Sequence, residues 1–302
     1  MRSQLLRGAQ ILRPAGVKPP PFDPLSGSLY AAFGLRRLVS TWTGPLVTVR
    51  RDSDNATLDV GATATTGRLD TAALIAFAGT GSAFVTQWWD QTGNGRHAVQ
   101  TVAAAQPRIV SAGSMGRIGA TPALVFDGTD DSFLVSAARG FCSGAEHVTV
   151  GLTSAQAPLA AAAGGVFGVS IATSASFGRF RVYVPASGGS QVVALSLRRQ
   201  DGDAATSFSS GNPLVSGEAT RIIARGHPVT GTADIVLNGT LSSGSPYGSS
   251  GAMDATDSFA LPSIGTISGQ ATFYAGRLGC LVLSRANPDA AALDAALAET
   301  LT

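Results

Sequence analysis

The sequence predicts an all-β fold: a two-sheet antiparallel β-sandwich of the jelly-roll type, with a few short helices and an extended N-terminal arm. The 302 residues are 44% hydrophobic and only 13% charged, and they include 37 glycines, a composition typical of a tightly turned β protein with a real core. After about residue 120, short apolar runs alternate with polar residues at a period of two. The absence of a βαβ rhythm excludes a mainly parallel sheet.

The first 26 residues are predicted to form a separate arm. ILRPAGVKPPPFDPLSG contains five prolines, which favour extended geometry and interrupt helices and sheets. The chain is therefore divided into an arm, residues 1–26, that anchors it or straps it to another subunit, and a jelly-roll domain, residues 27–302. Neither a secretory signal nor a membrane-spanning segment is visible, so we expect no membrane insertion and no export by the usual route.

The N-terminal part of the domain carries a helix signal and a hairpin signal. Tyr30, Phe33 and Leu38 fall near one face at helical spacing, which predicts a short helix from Leu29. Residues 46–61 contain two apolar-polar runs around Asp-Ser-Asp-Asn, residues that suit a turn. This second stretch predicts a β-hairpin.

Further along the chain, capping and turn residues mark the ends of the elements. Asp70 is placed to cap a helix that Gly79 ends, and a strand follows over residues 82–89. The Asn-Gly pair at 238 and 239 favours the positive φ angles of a type I′ hairpin turn. Residues 288–301 read as a terminal helix. The strands predicted between these points are ALVFDG, SFLVS, HVTVGLT, GVFGVSI, RFRVYV, QVVALSL, TRIIAR, ADIVL, TLSS and RLGCLVLS.

The stretch FVTQWWDQTGNGRHAV, residues 84–99, is the first candidate site. In a regular strand, Phe84, Thr86, Trp88 and Asp90 share one face, and Val85, Gln87, Trp89 and Gln91 share the other. In one interpretation, Asp90 is a turn aspartate bonded to backbone N–H groups beside two packed indoles. In the other, Trp88 or Trp89 forms a sugar-binding platform with Asp90 or Gln91.

The strand RFRVYV carries a second candidate carbohydrate-binding patch. Arg179, Arg181 and Tyr183 share a face opposite three apolar residues. A tyrosine flanked by arginines suits acidic or hydroxyl-rich glycans, because the guanidinium group offers several planar donors. The alternative is a solvated strand face. Arg221 and Arg225 either continue this face or keep a sheet edge soluble.

No catalytic residue can be assigned from the acidic residues. A glycosidase needs two facing carboxyl groups, one of them protonated, but none of the three glutamates (Glu146, Glu218, Glu299) lies in an apolar run. Asp127, Asp130 and Asp131 have the composition of a turn, and calcium capture is the alternative.

Composition also argues against other ligands. The two cysteines, Cys142 and Cys280, are read as buried thiols, and the three histidines lack ligand spacing, so neither metal nor cofactor is expected. A net charge of +2 is too small for a nucleic-acid partner.

Several segments carry a family resemblance. LRRLVSTWTGPLVTVRRDSDNATLDVG, WWDQTGNGRHAVQ and QPRIV resemble the start of the arabinofuranosidase B catalytic domain and related bacterial and phage proteins. TPALVFDGTDDSFLVS, ADIVLNGTL and YAGRLGCLVLSRANPDAAALDAAL resemble a concanavalin A-like, laminin-G-like jelly roll. The resemblance implies catalytic carboxylates in the later half, near adjacent cysteines. The chain has no Cys-Cys pair, so no catalytic residue is carried over.

These observations lead to a non-enzymatic hypothesis. We expect a virion structural protein of a tailed phage, a spike, fibre or decoration protein, located in the virion. It would bind other virion proteins through residues 1–26 and cell-surface glycan through the jelly roll, as a homo-oligomer, with a trimer as the guess. The alternative is an arabinofuranosidase-like glycoside hydrolase acting on cell-surface polysaccharide.

Overall fold

The fold was analysed in a computed structural model of the chain. It describes residues 18–157, 164–171, 178–186, 191–200, 203–204, 206–245, 247, 250–254, 260–267 and 272–302. Within these residues, strands dominate and helices are short.

The strands of the first half are β1 (Leu29–Gly34), β2 (Val47–Arg51), β3 (Thr57–Val60), β4 (Ala83–Trp88), β5 (Ala98–Val99), β6 (Arg108–Ser111), β7 (Ser114–Met115), β8 (Arg117–Ile118), β9 (Thr121–Pro122), β10 (Leu124–Asp127) and β11 (Phe133–Leu134). Those of the second half are β12 (Val148–Gln156), β13 (Gly164–Ile171), β14 (Gly178–Val184), β15 (Val192–Leu197), β16 (Thr206–Pro213), β17 (Thr220–His227), β18 (Thr232–Leu237), β19 (Thr240–Gly244), β20 (Ala260–Ile264) and β21 (Ala275–Ser284). The described helices are α1 (Thr71–Ala78) and α2 (Ala290–Glu299), with 3-10 turns at Asp23–Ser28, Ala103–Ala105 and Ser136–Ala138.

Hydrogen bonding arranges the strands in two antiparallel layers, which confirms the predicted sandwich. The first sheet runs β3-β2-β4-β6-β10-β21-β12-β17-β18-β19, with β1 beside β21 and β7 beside β6. The second sheet runs β5-β11-β20-β13-β14-β15-β16. The end of β4 also pairs with β5, so this strand joins the two layers.

The core lies between the two sheets. Leu152 and Leu281 of the first sheet pack in one cluster with Phe167, Phe180 and Leu195 of the second, and all are fully buried. A further cluster lies on the outer face of the first sheet, where α2 covers β12 and β17. The outer face of the second sheet is therefore the face whose side chains point away from both clusters.

The caps and turns predicted from local sequence are present in the structure. The Asp70 Oδ1 atom accepts a 3.0 Å hydrogen bond from Ala73 N at the start of α1, and Gly79 ends the helix at φ 59°. Asn238 and Gly239 have φ angles of 49° and 84° between β18 and β19, as a type I′ turn requires. The hairpin of residues 46–61 and the terminal helix are also confirmed.

The helix predicted from Leu29 is wrong, because this segment forms β1. Ala31 and Phe33 point into the main core, whereas Leu29 and Ala32 face the cluster beneath α2. Both faces of the strand are buried, so its apolar residues lie close enough together to imitate a helical pattern. Pairing with β21, more than 240 residues away in sequence, decides the conformation.

Part of the predicted arm packs against the sandwich. Phe22 is fully buried, and its backbone N–H donates a 2.9 Å hydrogen bond to Leu38 O. The Asp23 carboxylate accepts a 2.6 Å hydrogen bond from Ser40 N. Residues 1–17 lie outside the described part of the chain, so the anchoring role predicted for residues 1–26 stays a prediction.

Both cysteines are buried thiols, as predicted. Burial raises the pKa of the Cys280 thiol well above its usual range. The thiol is therefore neutral and inert at neutral pH. None of the helices in the described residues is long and apolar enough to span a bilayer.

Candidate functional site

A row of side chains crosses the outer face of the second sheet. The strand registers place the following residues side by side, from β5 to β15: Val99, Leu134, Ser263, Gly168, Arg181 and Ser196. Neighbouring strands are about 4.8 Å apart, so Val99 and Arg181 are separated by about 19 Å along this row. Val99, at the end of the 84–99 stretch, and Arg181, of the arginine patch, therefore lie toward opposite ends of one face.

At the β5 and β11 end, the row borders an open cleft of about 380 Å³. Its lining residues are Gly95, His97, Val99, Gln100, Thr101, Leu134, Ser136 and Ala137. Val99 is 37% exposed and Leu134 is 40% exposed, although both are large apolar side chains on strands. The cleft thus combines an apolar floor with amide and hydroxyl groups, a combination found in ligand sites.

The two tryptophans of the WWDQ stretch have different surroundings. Trp88 is fully buried against Phe33 and Phe133, whereas Trp89 is half-buried and stacks on the His97 ring at 4.6 Å. Trp89 Nε1 also donates a 2.9 Å hydrogen bond to Thr48 Oγ1. Burial therefore removes Trp88 from the candidate platform and leaves Trp89 beside the cleft.

The alternation predicted for this strand is wrong because β4 contains a bulge. Thr48 pairs with Gln87 and Val49 pairs with Val85, so Thr86 is an extra residue on β4. Val85 and Trp88 consequently both face the core, although a regular strand would separate them.

Asp90 is a structural residue of the turn that follows β4. Its carboxylate is fully buried and accepts hydrogen bonds from Ala32 N at 3.0 Å, Thr92 N at 3.0 Å and Arg96 N at 3.1 Å, and from the Thr92 hydroxyl. This agrees with the interpretation of Asp90 as a turn aspartate that is bonded to backbone N–H groups. No part of the carboxylate is left for a sugar.

Gln91 also has a structural role, because its side-chain amide bonds backbone groups. Its Oε1 accepts a 2.7 Å hydrogen bond from Leu38 N, and its Nε2 donates to Gly34 O and Arg36 O at 3.1 Å and 3.0 Å. The side chain is fully buried and clamps the segment after β1. It therefore cannot contribute to a platform in this conformation.

The arginine patch lies on β14, facing away from the core as predicted. Arg181 is half-buried and donates a 2.8 Å hydrogen bond from Nη2 to Ser196 Oγ on β15, while its guanidinium lies 5.8 Å from the Tyr183 ring. Burial lowers the pKa of Arg181 from its usual range. Arg179 is 1% exposed, so its guanidinium is enclosed. A sugar-binding role for Arg179, Arg181 and Tyr183 stays a prediction.

Ile267, three residues after β20, packs against glycines of β13. A Cβ atom on Gly165 would lie 2.7 Å from Ile267 Cγ1 and 2.8 Å from Ile267 N, and one on Gly168 would lie 3.2 Å from Ile267 Cα. Glycines on β13 therefore permit this close approach. Arg221 and Arg225 do not continue the face, because they lie on β17 of the first sheet and pair with Asp294 and Asp234.

An acidic loop, Asp127 to Asp131, joins β10 to β11 as the predicted turn. The Asp127 carboxylate accepts from Thr129 N at 2.7 Å, and the Asp131 carboxylate accepts from Asp127 N at 2.9 Å. Oxygens of Asp127, Asp130 and Asp131 lie within 4.8 Å of one another. Burial, with a smaller contribution from its two acidic neighbours, raises the pKa of Asp131 to about 7. The calcium alternative stays a prediction.

The acidic loop adjoins the cleft. The Gln100 side chain lines the cleft, and its Nε2 donates a 2.9 Å hydrogen bond to Ser132 O, one residue beyond Asp131. Leu134, which forms part of the cleft floor, follows on the same strand. A carboxyl with a raised pKa and an apolar cleft thus lie on consecutive parts of one segment.

Two more acids lie beside Arg199, after β15. The Asp203 carboxylate is 3.5 Å from Arg199 Nε, and Asp254 N donates a 3.1 Å hydrogen bond to Arg199 O. No local pattern connects positions 203 and 254, because only the fold brings them together. They are half-buried acids at one end of the second sheet.

A charged network joins His147, His227, Arg225 and Asp234. His147 Nδ1 and His227 Nδ1 are 3.1 Å apart, and the Asp234 carboxylate contacts His227 at 3.1 Å and Arg225 at 2.7 Å. Burial alone would raise the pKa of Asp234, but hydrogen bonds from His227 and Arg225 lower it overall. This network ties β17 to β18 on the first sheet.

Part of the β-sandwich matches a known protein family in sequence. Residues 27–176 match the family model of the alpha-L-arabinofuranosidase B catalytic domain. This arabinofuranosidase match covers just under half of the 302 residues. It includes β1 to β13 and the WWDQTGNGRH stretch.

Solved arabinofuranosidase structures share the fold. An arabinofuranosidase complexed with arabinofuranosyl-alpha-1,2-xylobiose superposes with a TM-score of 0.68 at 17% identity. A GH54 arabinofuranosidase soaked with a cyclic sulfate inhibitor gives 0.69 at 17%, and a GH54 mutant soaked with 4-nitrophenyl arabinofuranoside gives 0.70 at 16%. The alignments cover 93% of this chain, which spans only 64% to 65% of those proteins. No curated protein sequence matches the chain.

These comparisons overturn the non-enzymatic virion hypothesis. Both the family match and the structural neighbours point to arabinofuranosidase catalytic domains, and no finding points to a virion, spike or fibre protein. The prediction was wrong because it gave more weight to the missing Cys-Cys pair than to the matching segments. The similarity favours the alternative, a glycoside hydrolase.

Proposed function

We propose that this chain is the β-sandwich part of an arabinofuranosidase-like glycoside hydrolase, which removes α-L-arabinofuranosyl groups from a polysaccharide. The observation that carries the proposal is the family match over residues 27–176. The shared fold, covering 93% of the chain, is consistent with it.

The reaction needs two carboxyl groups with different protonation states. One donates a proton to the leaving oxygen, and the other acts as a nucleophile about 5–5.5 Å away or activates water at about 6.5–9.5 Å. Asp131 is the one described carboxyl whose pKa is raised, to about 7, which suits a general acid near neutral pH. Asp127 and Asp130, within 4.8 Å, are its closest described partners.

A second set of acids deserves the same test. The family resemblance implies catalytic carboxylates in the later half of the domain. Asp203 and Asp254 belong to that half and are brought together beside Arg199. Asp201 and Asp257 also belong to the later half of the sequence, but they lie outside the described residues.

Hydrolysis tests the proposal directly. The purified chain is incubated with 4-nitrophenyl α-L-arabinofuranoside and with arabinofuranosyl-xylobiose, and released 4-nitrophenol and arabinose are measured. We expect release from both compounds. Failure to release either product between pH 4 and pH 8 would contradict the proposal.

Single Asp→Asn variants then locate the acids. Variants of the acidic loop (Asp127, Asp130, Asp131) are compared with variants of the later set (Asp201, Asp203, Asp254, Asp257). Loss of a catalytic acid reduces kcat by roughly 10²- to 10⁴-fold. Asp59, an exposed carboxylate on β3, is the matched control and should retain full activity.

A further inference from the structure

The cleft beside β5 and β11 has an exposed apolar floor. Val99 and Leu134 are cross-strand partners on the outer face, and each exposes more than a third of its surface. Aliphatic side chains paired in this way form a flat apolar patch. A sugar ring presents a matching apolar face formed by its C–H groups, while its hydroxyls remain at the rim.

His97 lines the cleft, and a backbone hydrogen bond fixes which of its ring nitrogens carries the proton. Asp90 N donates a 3.1 Å hydrogen bond to His97 Nδ1, so Nδ1 must be the unprotonated nitrogen. The neutral ring therefore carries its proton on Nε2. Burial lowers the pKa of His97, with a smaller opposing effect from Asp90, and thus favours the neutral form. Stacking on Trp89 at 4.6 Å sets the ring plane.

The other lining groups are uncharged. Gln100, Thr101 and Ser136 offer amide and hydroxyl groups, and the described lining contains neither a carboxylate nor a cationic side chain. A charged sugar would lose hydration here without gaining a counter-charge. The lining thus favours a neutral saccharide over an acidic one.

We infer that this cleft is a subsite for a neutral pyranose of the substrate's main chain. The apolar face of the sugar packs on Val99 and Leu134, and one sugar hydroxyl accepts the hydrogen bond from His97 Nε2. In this proposal, the residues of the WWDQTGNGRH stretch act together on His97. Asp90 stabilises the turn, the turn sets the tautomer of His97, and Trp89 orients the imidazole ring. The choice of a polysaccharide main chain rests on the proposed function.

Calorimetric titration with xylotetraose tests the subsite. Replacing both floor residues, Val99→Ala with Leu134→Ala, should weaken binding about tenfold, because apolar contact area is lost. Leu241→Ala is the matched control, since Leu241 is 58% exposed on β19 of the first sheet. It should leave the Kd unchanged. Tetragalacturonate should bind more weakly than xylotetraose.

Two variants of His97 isolate the donor. His97→Phe keeps a ring beside Trp89 but has no N–H, so it should weaken xylotetraose binding about tenfold. His97→Gln places an amide N–H near the position of Nε2 and should bind more tightly than His97→Phe. Equal affinities for the two variants would contradict the hydrogen bond, and unfolding curves establish that both are folded.

The outcomes separate this inference from the proposed activity. Binding that depends on the floor residues, without any arabinofuranoside hydrolysis, would support the subsite and contradict the enzyme. Arabinofuranoside hydrolysis, together with an unchanged xylotetraose affinity in the floor variant, would support the enzyme and contradict the subsite. Absence of xylotetraose binding at millimolar concentration, or tighter binding of tetragalacturonate, would overturn the subsite.

Discussion

The backbone N–H of Asp90 donates a hydrogen bond to Nδ1 of His97 over 3.1 Å, across the Thr-Gly-Asn-Gly turn. This contact connects a buried structural carboxylate to a side chain that lines the open cleft. It requires an unprotonated Nδ1, so the ring is a neutral Nε2–H tautomer whenever the turn is formed.

The tautomer can be observed directly. We expect nitrogen NMR at pH 7 to show His97 as the Nε2–H form, with a titration midpoint below the ordinary value of about 6.5, because burial lowers its pKa. The contribution of His97 to stability is complete above that value and is lost as the pH falls. His97→Gln assigns the signals. A midpoint above 6.5 would contradict the geometry.

Asp90→Ala should be strongly destabilising. It leaves Ala32 N, Thr92 N and Arg96 N without their acceptor, and unsatisfied buried donors cost about 1–3 kcal/mol each. We expect the free energy of unfolding in urea to fall by about 3 kcal/mol or more. Asp59→Ala removes an exposed carboxylate that accepts a hydrogen bond from Thr48 Oγ1, and it should change this free energy by about 1 kcal/mol or less.

The two adjacent tryptophans should differ in their effect on stability. Trp88→Ala removes a fully buried indole and should cost about 3–5 kcal/mol. Trp89→Ala loses one side-chain hydrogen bond and the ring contacts with Trp42 and His97, which should cost about 1–2 kcal/mol. Urea unfolding of both variants measures the difference. Similar values would contradict the bulge that turns only Trp88 inward.

Asp131 should make stability depend on pH. Because its folded pKa is raised to about 7, the folded state binds a proton that the unfolded state releases above about pH 4. The wild-type protein should therefore lose stability relative to Asp131→Asn as the pH rises from 4 to 7, by at most about 4 kcal/mol. Unfolding at pH 4.5, 6 and 8 measures this difference. A constant difference would place the Asp131 pKa near its ordinary value.

Gly165 should not tolerate a side chain. A Cβ atom there would approach both the backbone and the side chain of Ile267, at 2.8 Å and 2.7 Å, and such overpacking costs about 1–3 kcal/mol. Thermal denaturation of Gly165→Ala should show a lower Tm. Gly27→Ala is the control, because no atom lies within 4 Å of the added Cβ. Equal melting temperatures would show that the segment around Ile267 adjusts.

Features that depend on a few neighbouring residues are predictable from the sequence. The caps at Asp70 and Gly79, the Asn238-Gly239 turn and the hairpin of residues 46–61 all follow from local backbone chemistry. The composition and the alternation of apolar and polar residues are sufficient to predict the β-sandwich. The segments that resemble the arabinofuranosidase B catalytic domain are also visible in the sequence, and its family model matches residues 27–176.

Features that depend on pairing between distant strands are decided only by the tertiary structure. β1 is a strand only because β21 pairs with it, and the Thr86 bulge exists only because β2 and β4 pair out of step. The row from Val99 to Arg181 joins strands whose order in the sheet differs from their order in the chain. Local preferences act over a few residues, whereas register and burial arise between segments far apart in sequence. The cleft, the tautomer of His97 and the raised pKa of Asp131 therefore belong to the tertiary structure.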